Sequence, residues 1–337
     1  MAGLVAGARA RELGVPAVVY EKGTRPGGSM LLSSCVIWRY SSFEEFRRQC
    51  PSGDARLQRL VWERLDDALY WLESLGAEVT RPETGNPLTV GRGFDARALT
   101  DVLVRAAGEV RLGETTPEPQ ILATGGFQGS PDLVAEHIAP AAPLPLRANP
   151  WSVGDGLRHG LAAGGSLSAG MDEFYGRNMP DAPFGEDDFV PAAQLYAARA
   201  RVVNERGEEF LDEPVDWSET RVVQATARQP GGIAWYELDA QTLAAVGDRV
   251  DHARRLGAAV EPRDGGAAVR VRASITHTIG GLNVDEHARV VGAEGLWAAG
   301  ADAGGISAGG YASGLASALV LGLAAAEDAT GRGDRTT

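Results

Sequence analysis

AGLVAGARARELGVPAVVYEKGTRPGGS, residues 2–29, is the stretch that sets the fold. Ala2 to Leu13 is rich in alanine, the strongest helix former, and Gly14 ends the run. Ala17-Val18-Val19-Tyr20 is a short apolar run of the kind that forms a buried strand, closed by Glu21. Gly23 to Gly28 (GTRPGG) reads as a turn or loop. In a βαβ dinucleotide-binding unit the third glycine of G-x-G-x-x-G lets the helix pack on the sheet, and the helix N-terminus faces a pyrophosphate. An acidic residue roughly 20 positions on takes the ribose hydroxyls. Gly3 and Glu21 stand 18 positions apart and fit those two roles. The first strand and first two glycines of the motif are absent from a chain that begins at Met1. An alanine-rich packing helix with a capping glycine accounts for these residues as well.

Four further segments favour the nucleotide reading. Glu21-Lys22-Gly23 leads into Arg25-Pro26-Gly27-Gly28-Ser29, placing a flexible loop and the hydroxyls of Ser29, Ser33 and Ser34 after the carboxylate. Gln120 to Phe127 (QILATGGF) reads as a strand entering a double glycine, where small residues let a planar ligand lie on the backbone. Gly154-Asp155-Gly156 opens an Ala/Gly helix. The C-terminal stretch THTIGG (276–281), GLWAAGADAGG (295–305) and GGYASG (309–314) then enters a final helix. Elsewhere, Leu57 to Leu75 carries apolar residues at helical spacing, and Phe94 to Ala107 reads as another helix. Arg201 to Gly207 resembles a hairpin. From about Met171 to Arg270 the texture changes, as for a second domain inserted into the first, and from Ile275 the glycine-rich texture returns. No internal repeat is visible.

Composition excludes several classes. The 337 residues are 44% apolar and 23% charged, an ordinary globular balance, and the 44 glycines follow no collagen-like period. A net charge of -13 argues against a nucleic-acid partner. Lys22 is the sole lysine, which reads as codon bias from a GC-rich genome. Cys35 and Cys50 are too few for a disulfide framework or a cysteine-rich metal site, and no metal is expected. Met1 leads straight into an Ala/Gly-rich helix with no basic n-region, so no secretory leader is expected, and Gly314 to Ala326 is shorter than the ~20 residues of a membrane span. A soluble, cytoplasmic protein is the expectation.

The chain resembles the flavoprotein subunits of fumarate reductase and succinate dehydrogenase, a family that includes 3-ketosteroid 1-dehydrogenases and tricarballylate dehydrogenases. The resemblance is carried, in family order and over most of the chain, by AGLVAGARARELG, VVYEKGTRPGGS, ILATGGF, GDGL, VVNERGEEFLDE, THTIGGLNVD, ARV and GLWAAGADAGG. It implies an α/β fold: a Rossmann-like FAD-binding domain in two segments with an inserted α+β capping domain. The expected division is 1–165 for the first segment, 166–272 for a shortened cap, 273–330 for the second segment and 331–337 for a tail. The resemblance implies Gly3 at the pyrophosphate helix and Glu21 at the adenosine ribose. Lys22, Gly27, Gly28, Ser29, Ser33 and Ser34 would line the pyrophosphate and flavin side. Ala123, Thr124 and Gly125 would sit near the adenosine, with Asp155 a further contact. Gly300 and Asp302 match a second FAD-contacting loop, and Gly314, Leu315 and Ala316 would present the last helix's N-terminus to the flavin.

The chemistry the resemblance implies is hydride exchange between flavin and a substrate carbon, with a proton moving on the neighbouring carbon beside a carbonyl or carboxylate. His277 matches a histidine that helps bind substrate carboxylate in fumarate reductases; a buried histidine bonded to backbone is the alternative. Tyr311 falls where fumarate reductases place an arginine and ketosteroid dehydrogenases a tyrosine, which leans toward a ketone or enone substrate. Glu219 occupies the position of the catalytic arginine, with Arg221 two residues away if the register slips; Glu219 as a solvated surface acid is the other reading. Tyr175, Tyr196, Trp217 and Trp235 line a cap pocket or fill its core. The expected partners are a small-molecule substrate and an unidentified electron acceptor. Three departures stand out: the absent first strand, only a Pro-rich link (Thr115 to Gln120) where the family has extra β structure, and a cap shortened between Leu243 and Ser274. The absent strand implies either that the coding sequence starts upstream of Met1 or that this is a degenerate member without FAD; an upstream start does not account for the two internal departures. A plain NAD-dependent dehydrogenase would leave the glycines at Gly125, Gly280 and Gly300 without a task.

Overall fold

The computed structural model describes residues 1–138 and 143–331, so most of the expected tail lies outside the described residues. The chain divides into two compact units. The first comprises Met1–Ser130, Asn149–Glu173 and Thr278–Thr337, the second Pro131–Ala148 and Phe174–His277.

In the first unit the alanine-rich run is a helix, Ala2–Glu12, followed by the strand Val18–Glu21. Its glycines allow close packing. A Cβ on Gly7 would stand 2.7 Å from Val19 Cγ2, and one on Gly3 would stand 3.4 Å from Ala123 Cβ. The C-terminal helix Gly314–Ala329 is apolar nearly all round and packs on Ala2–Glu12; a Cβ on Gly322 would lie 3.0 Å from Ala2 O and 3.0 Å from Val5 Cγ1. Glu327 locks this corner, accepting from Arg9 Nε at 3.1 Å and Arg64 NH2 at 2.8 Å. The helical spacing at Leu57 to Leu72 gives Ala55–Ser74, capped by Asp54, and the run from Phe94 gives Ala96–Ala107, capped by Asp95.

Two parallel strand pairs form separately: Val18–Glu21 with Glu109–Leu112, and Trp297–Ala298 with Ile121–Leu122. A three-stranded antiparallel sheet runs in the order Val36–Tyr40, Thr89–Phe94, Val79–Arg81. Two expectations need correction. The strand expected to run from Gln120 into the double glycine is only Ile121–Leu122, because the Thr124 amide leaves the ladder for a side chain and Gly125 and Gly126 turn to positive φ (94° and 85°). The run Ala17 to Tyr20 is not a buried strand. It is covered on its Val19 face by the helix, while Val18 and Tyr20 are each 37% exposed.

The second unit is built on a five-stranded sheet. The long strand Gly266–Thr278 pairs antiparallel with Val260–Arg263 and Ile233–Asp239, Arg201–Val203 extends the sheet, and Phe174–Pro180 joins the long strand. The expected hairpin after Arg201 closes at Gly207 (φ 77°), with Asn204 N donating to Glu208 O at 2.9 Å. Helix Thr220–Ala227 packs on Phe174–Pro180, and Tyr196, Tyr236, Val269 and Val271 fill the core.

The helix pair supplies a direct test. Gly322→Val inserts two methyl groups and a Cβ against the Ala2 carbonyl, and overpacking of this kind costs about 1–3 kcal/mol. The urea midpoint should fall accordingly; an unchanged midpoint would mean that the two helices have room to separate.

Candidate functional site

At the end of strand Val18–Glu21 the chain turns sharply. Glu21 Oε1 accepts from Gly23 N at 2.7 Å, and Lys22 Nζ pairs with Asp155 at 2.7 Å, so three expected nucleotide residues lie together. Asp155 is the first residue of helix Asp155–Ala162, whose cap Gly154 is left-handed at φ 87°. Gly27 (φ 101°) and Gly28 (φ 55°) turn the following loop: Gly27 is packed on Thr100, whereas a Cβ on Gly28 would meet only Asn149 Nδ2, at 3.4 Å. Ser29 Oγ accepts from Asn149 N at 3.2 Å. Ser33 serves its own loop, donating to Met30 O at 2.8 Å and accepting from Cys35 N at 3.0 Å. Ser34 is exposed.

Asp302 is buried, and its carboxylate accepts from Thr124 N at 2.5 Å, Thr124 Oγ1 at 3.0 Å and Gly126 N at 3.0 Å. Burial raises its proton affinity, and the bonds from the Thr124–Gly126 turn oppose that rise. Thr124 Oγ1 also accepts from Gly156 N at 3.0 Å, and any side chain on Gly156 would collide with the Asp302 carboxylate. Asp302 and Thr124, expected as direct cofactor contacts, are therefore bonded to each other and shape the loop; Gly125 is held against Ser152. Gly300 (φ 69°) sits over Ala2, where a Cβ would lie 3.2 Å from Ala2 Cβ.

Tyr311 lies in a loop fixed from several sides. Gly309 N donates to Glu173 Oε2 at 2.7 Å, and Gln58 Nε2, fully buried, donates to Ile306 O at 2.8 Å. The Tyr311 carbonyl accepts from Tyr40 OH at 2.6 Å, and its ring stands 5.4 Å from that of Trp38. Three residues on, the last helix begins: Ser313 Oγ caps Ala316 N at 3.3 Å, Gly314 is exposed and Leu315 half-buried. This amide-bearing end favours negative charge.

In the second unit the pleat of the long strand turns Thr276 and His277 to opposite faces. Thr276 Oγ1 accepts from Arg147 NH1 at 3.1 Å, and His277 lies against the ring of Tyr175 at 4.9 Å. Desolvation depresses His277 to about 4, so the imidazole is neutral at neutral pH. The Arg177 guanidinium stands 4.9 Å over the other neighbour of this row, the Tyr175 ring, and donates to the Ser218 carbonyl. Ser218 precedes Glu219, which adopts a left-handed conformation (φ 55°), caps helix Thr220–Ala227 and is 6% exposed. Glu219 Oε1 accepts from Ala197 N at 2.9 Å; burial raises its carboxyl to about 7 against the pull of Arg177. Glu219 is thus no solvated acid. Arg221 is a surface residue paired with Glu213 and does not share that environment. Tyr196 is core, its hydroxyl donating to Gln194 Oε1 at 2.5 Å, and Trp217 is 39% exposed. Trp235 is half-buried under Arg263 at 5.7 Å. No motif marks Arg177 in the sequence; the one available signal is the two-residue period that puts it on the same strand face as Tyr175.

In the first unit the Glu21 carboxylate, Lys22 and the glycine turn at Gly27 and Gly28 follow one strand end. Buried Thr278 Oγ1 and Gln128 Oε1 have no hydrogen-bond partner among the described residues, and stand 2.7 and 2.9 Å from where Gly126 would carry a Cβ. Unpaired buried polar atoms beside a glycine that cannot be filled mark a cradle for a polar group. Among the described residues no cluster suits a metal ion, and no helix is long and apolar enough to cross a membrane.

Helices packed on short parallel strand pairs, with glycine turns at the strand ends, make an arrangement of the kind found in dinucleotide-binding α/β proteins. The FAD binding domain family matches residues 95–317, well over half of the chain, including the turns at Thr124, Gly154, Gly280 and Gly300. The chain belongs to that family, and FAD is its cofactor. It is 30% identical over 159 residues to a vinyl phenol reductase of Lactiplantibacillus plantarum, a match spanning 45% of this chain and only 31% of that reductase. Its fold is that of an open flavocytochrome c3 fumarate reductase (TM-score 0.72, 18% identity, covering 99% of this chain and 77% of that one). It also superposes on 3-ketosteroid-Δ4-(5α)-dehydrogenase from Rhodococcus jostii bound to 4-androstene-3,17-dione (TM-score 0.71, 17% identity, 97% and 94% covered).

Two buried groups give opposite pH dependences. Glu219, ordinarily at 4.5 and raised to about 7, holds its proton longer in the folded chain, so its contribution to stability is lost as pH rises from 4.5 to 7. His277, ordinarily at 6.5 and lowered to about 4, contributes stability above 6.5 that is lost as pH falls toward 4. The two slopes offset one another between pH 4.5 and 6.5. Glu219→Gln removes the falling slope, so the variant should gain about 1–3 kcal/mol more stability than wild type on going from pH 4.5 to 6.5. Denaturant titrations at both pH values read this; parallel curves would place Glu219 at an ordinary carboxylate pKa.

Proposed function

We propose that the chain is a flavin-dependent dehydrogenase or reductase that makes or reduces a C–C/C=C bond beside a carbonyl or carboxylate. Bound FAD supplies a two-electron hydride acceptor or donor. The observation that carries the reading is Glu219, a shielded carboxyl with a proton affinity near neutrality. Such a group is suited both to give and to take a proton at physiological pH. Glu219 moves the proton at the substrate carbon next to the one that exchanges hydride. Ala197 N holds one oxygen of its carboxyl, and the charge of Arg177 favours its ionised form. Tyr311 donates to the carbonyl oxygen, whose charge grows in the transition state. His277, being neutral, offers a hydrogen bond and not a charge, which suits a carbonyl better than a carboxylate. Glu21 holds the adenosine ribose, and Lys22, Gly27 and Gly28 the pyrophosphate side. The name of the vinyl phenol reductase agrees with reduction of a C=C bond beside a ring, and the dione in the ketosteroid dehydrogenase with an enone.

The cofactor assignment is tested at Glu21. Its carboxylate should make charge-assisted hydrogen bonds, so Glu21→Ala is expected to cost about 1.5–3 kcal/mol of FAD binding by titration calorimetry. Equal FAD affinity in the variant would remove Glu21 from the ribose site.

Substrate class is tested at Tyr311. A phenol donates a single hydrogen bond, whereas an arginine presents a bidentate fork to a carboxylate. FAD-loaded protein, assayed with artificial electron donors and acceptors, should turn over a cyclic or bulky enone or ketone faster than fumarate. Tyr311→Phe should slow that reaction by roughly 10²–10³, the effect of losing one oxyanion donor. Fast fumarate reduction, or full activity of the phenylalanine variant on the best ketone, would contradict the assignment.

A further inference from the structure

Trp151 stands against the turn that closes strand Val18–Glu21. A Cβ on Gly23 would lie 2.5, 2.7 and 2.8 Å from Cε3, Cδ2 and Cζ3 of its indole, so the benzene half of the ring occupies the space that a side chain at position 23 would need. The backbone around the ring is fixed. Trp151 N donates to Asn149 Oδ1 at 2.8 Å, and Asn149 Nδ2 donates to Ser152 Oγ at 3.0 Å. Asn149 N in turn donates to Ser29 Oγ at 3.2 Å, beside the open turn at Gly28. Four residues beyond Trp151, Asp155 pairs with Lys22, the neighbour of Gly23. Trp151 is partly buried, and Gly23, on which its ring lies, donates its N–H to Glu21 Oε1 at 2.7 Å.

A partly exposed indole beside a carboxylate and a glycine turn presents an aromatic surface next to a hydrogen-bond acceptor. A flat, uncharged aromatic group carried on a ribose satisfies both the ring and the carboxylate, and stacking on an aromatic side chain is worth enough to hold a base. We propose that Trp151 is the aromatic contact for the adenine of FAD, seated by the missing side chain of Gly23 and oriented by Asn149. This rests on Glu21 marking the adenosine end of the cofactor site.

The test uses the full chain, with FAD and ADP as separate probes, and reads binding by calorimetry and by quenching of tryptophan fluorescence. Trp151→Ala should weaken FAD and ADP by the same factor, about tenfold or more, as expected for a lost base–aromatic stack. Trp151→Phe should retain most of the affinity while losing part of the FAD-induced quenching. Gly23→Ala, which displaces the ring without removing it, should weaken both ligands as well. Wild-type FAD affinity in Trp151→Ala would overturn the proposal. So would a loss confined to FAD with ADP unaffected, which would put Trp151 at the flavin half. Absence of FAD binding by the wild-type chain would sink the cofactor site itself, a result distinct from either.

Discussion

The buried carboxylate of Asp302 is the interaction on which the cofactor-binding unit depends. It draws in the amides of Thr124 and Gly126 and the hydroxyl of Thr124 from a segment 178 residues away, and Gly156 approaches it from a third. Three glycine turns from distant parts of the chain thereby share one anion. A buried carboxylate with three donors is strongly favoured over the same group left unpaired, so the three turns are held as one object. The glycines around it are there because a side chain would strike the carboxylate or its neighbours.

That arrangement also explains which parts of the sequence were legible. Helix Ala55–Ser74 follows from the period of Leu57, Val61, Leu65 and Leu72, a local property that local reading recovers. The strand expected to run into the Gly125-Gly126 pair ends earlier, at Leu122, because the Thr124 amide is captured by a residue no local window contains. Val18 and Tyr20 are apolar yet exposed for the opposite reason: composition does not carry which face the neighbouring helix covers. The family pattern drew attention to Glu21, Lys22 and Asp155, and the fold brings these three together. It did not mark Arg177 or Trp151, whose surroundings depend on Tyr175 in one case and on an absent side chain at Gly23 in the other.

Glu219 illustrates how burial alone changes what a residue type can do. On a surface its carboxyl would be an ordinary anion at neutral pH. Held in a left-handed cap with one oxygen on Ala197 N, it keeps a proton up to about 7. The neighbouring Arg221, identical in reach to any surface arginine, stays in solvent with Glu213.

The pairing of Lys22 with Asp155 has a practical consequence. Lys22 carries the only ε-amine in the 337 residues, and it stands at the turn after strand Val18–Glu21, paired with Asp155. Amine-directed acylating reagents therefore have a single side-chain target, and the rate at which that target is modified reports, without any engineered label, whether the turn is open or filled.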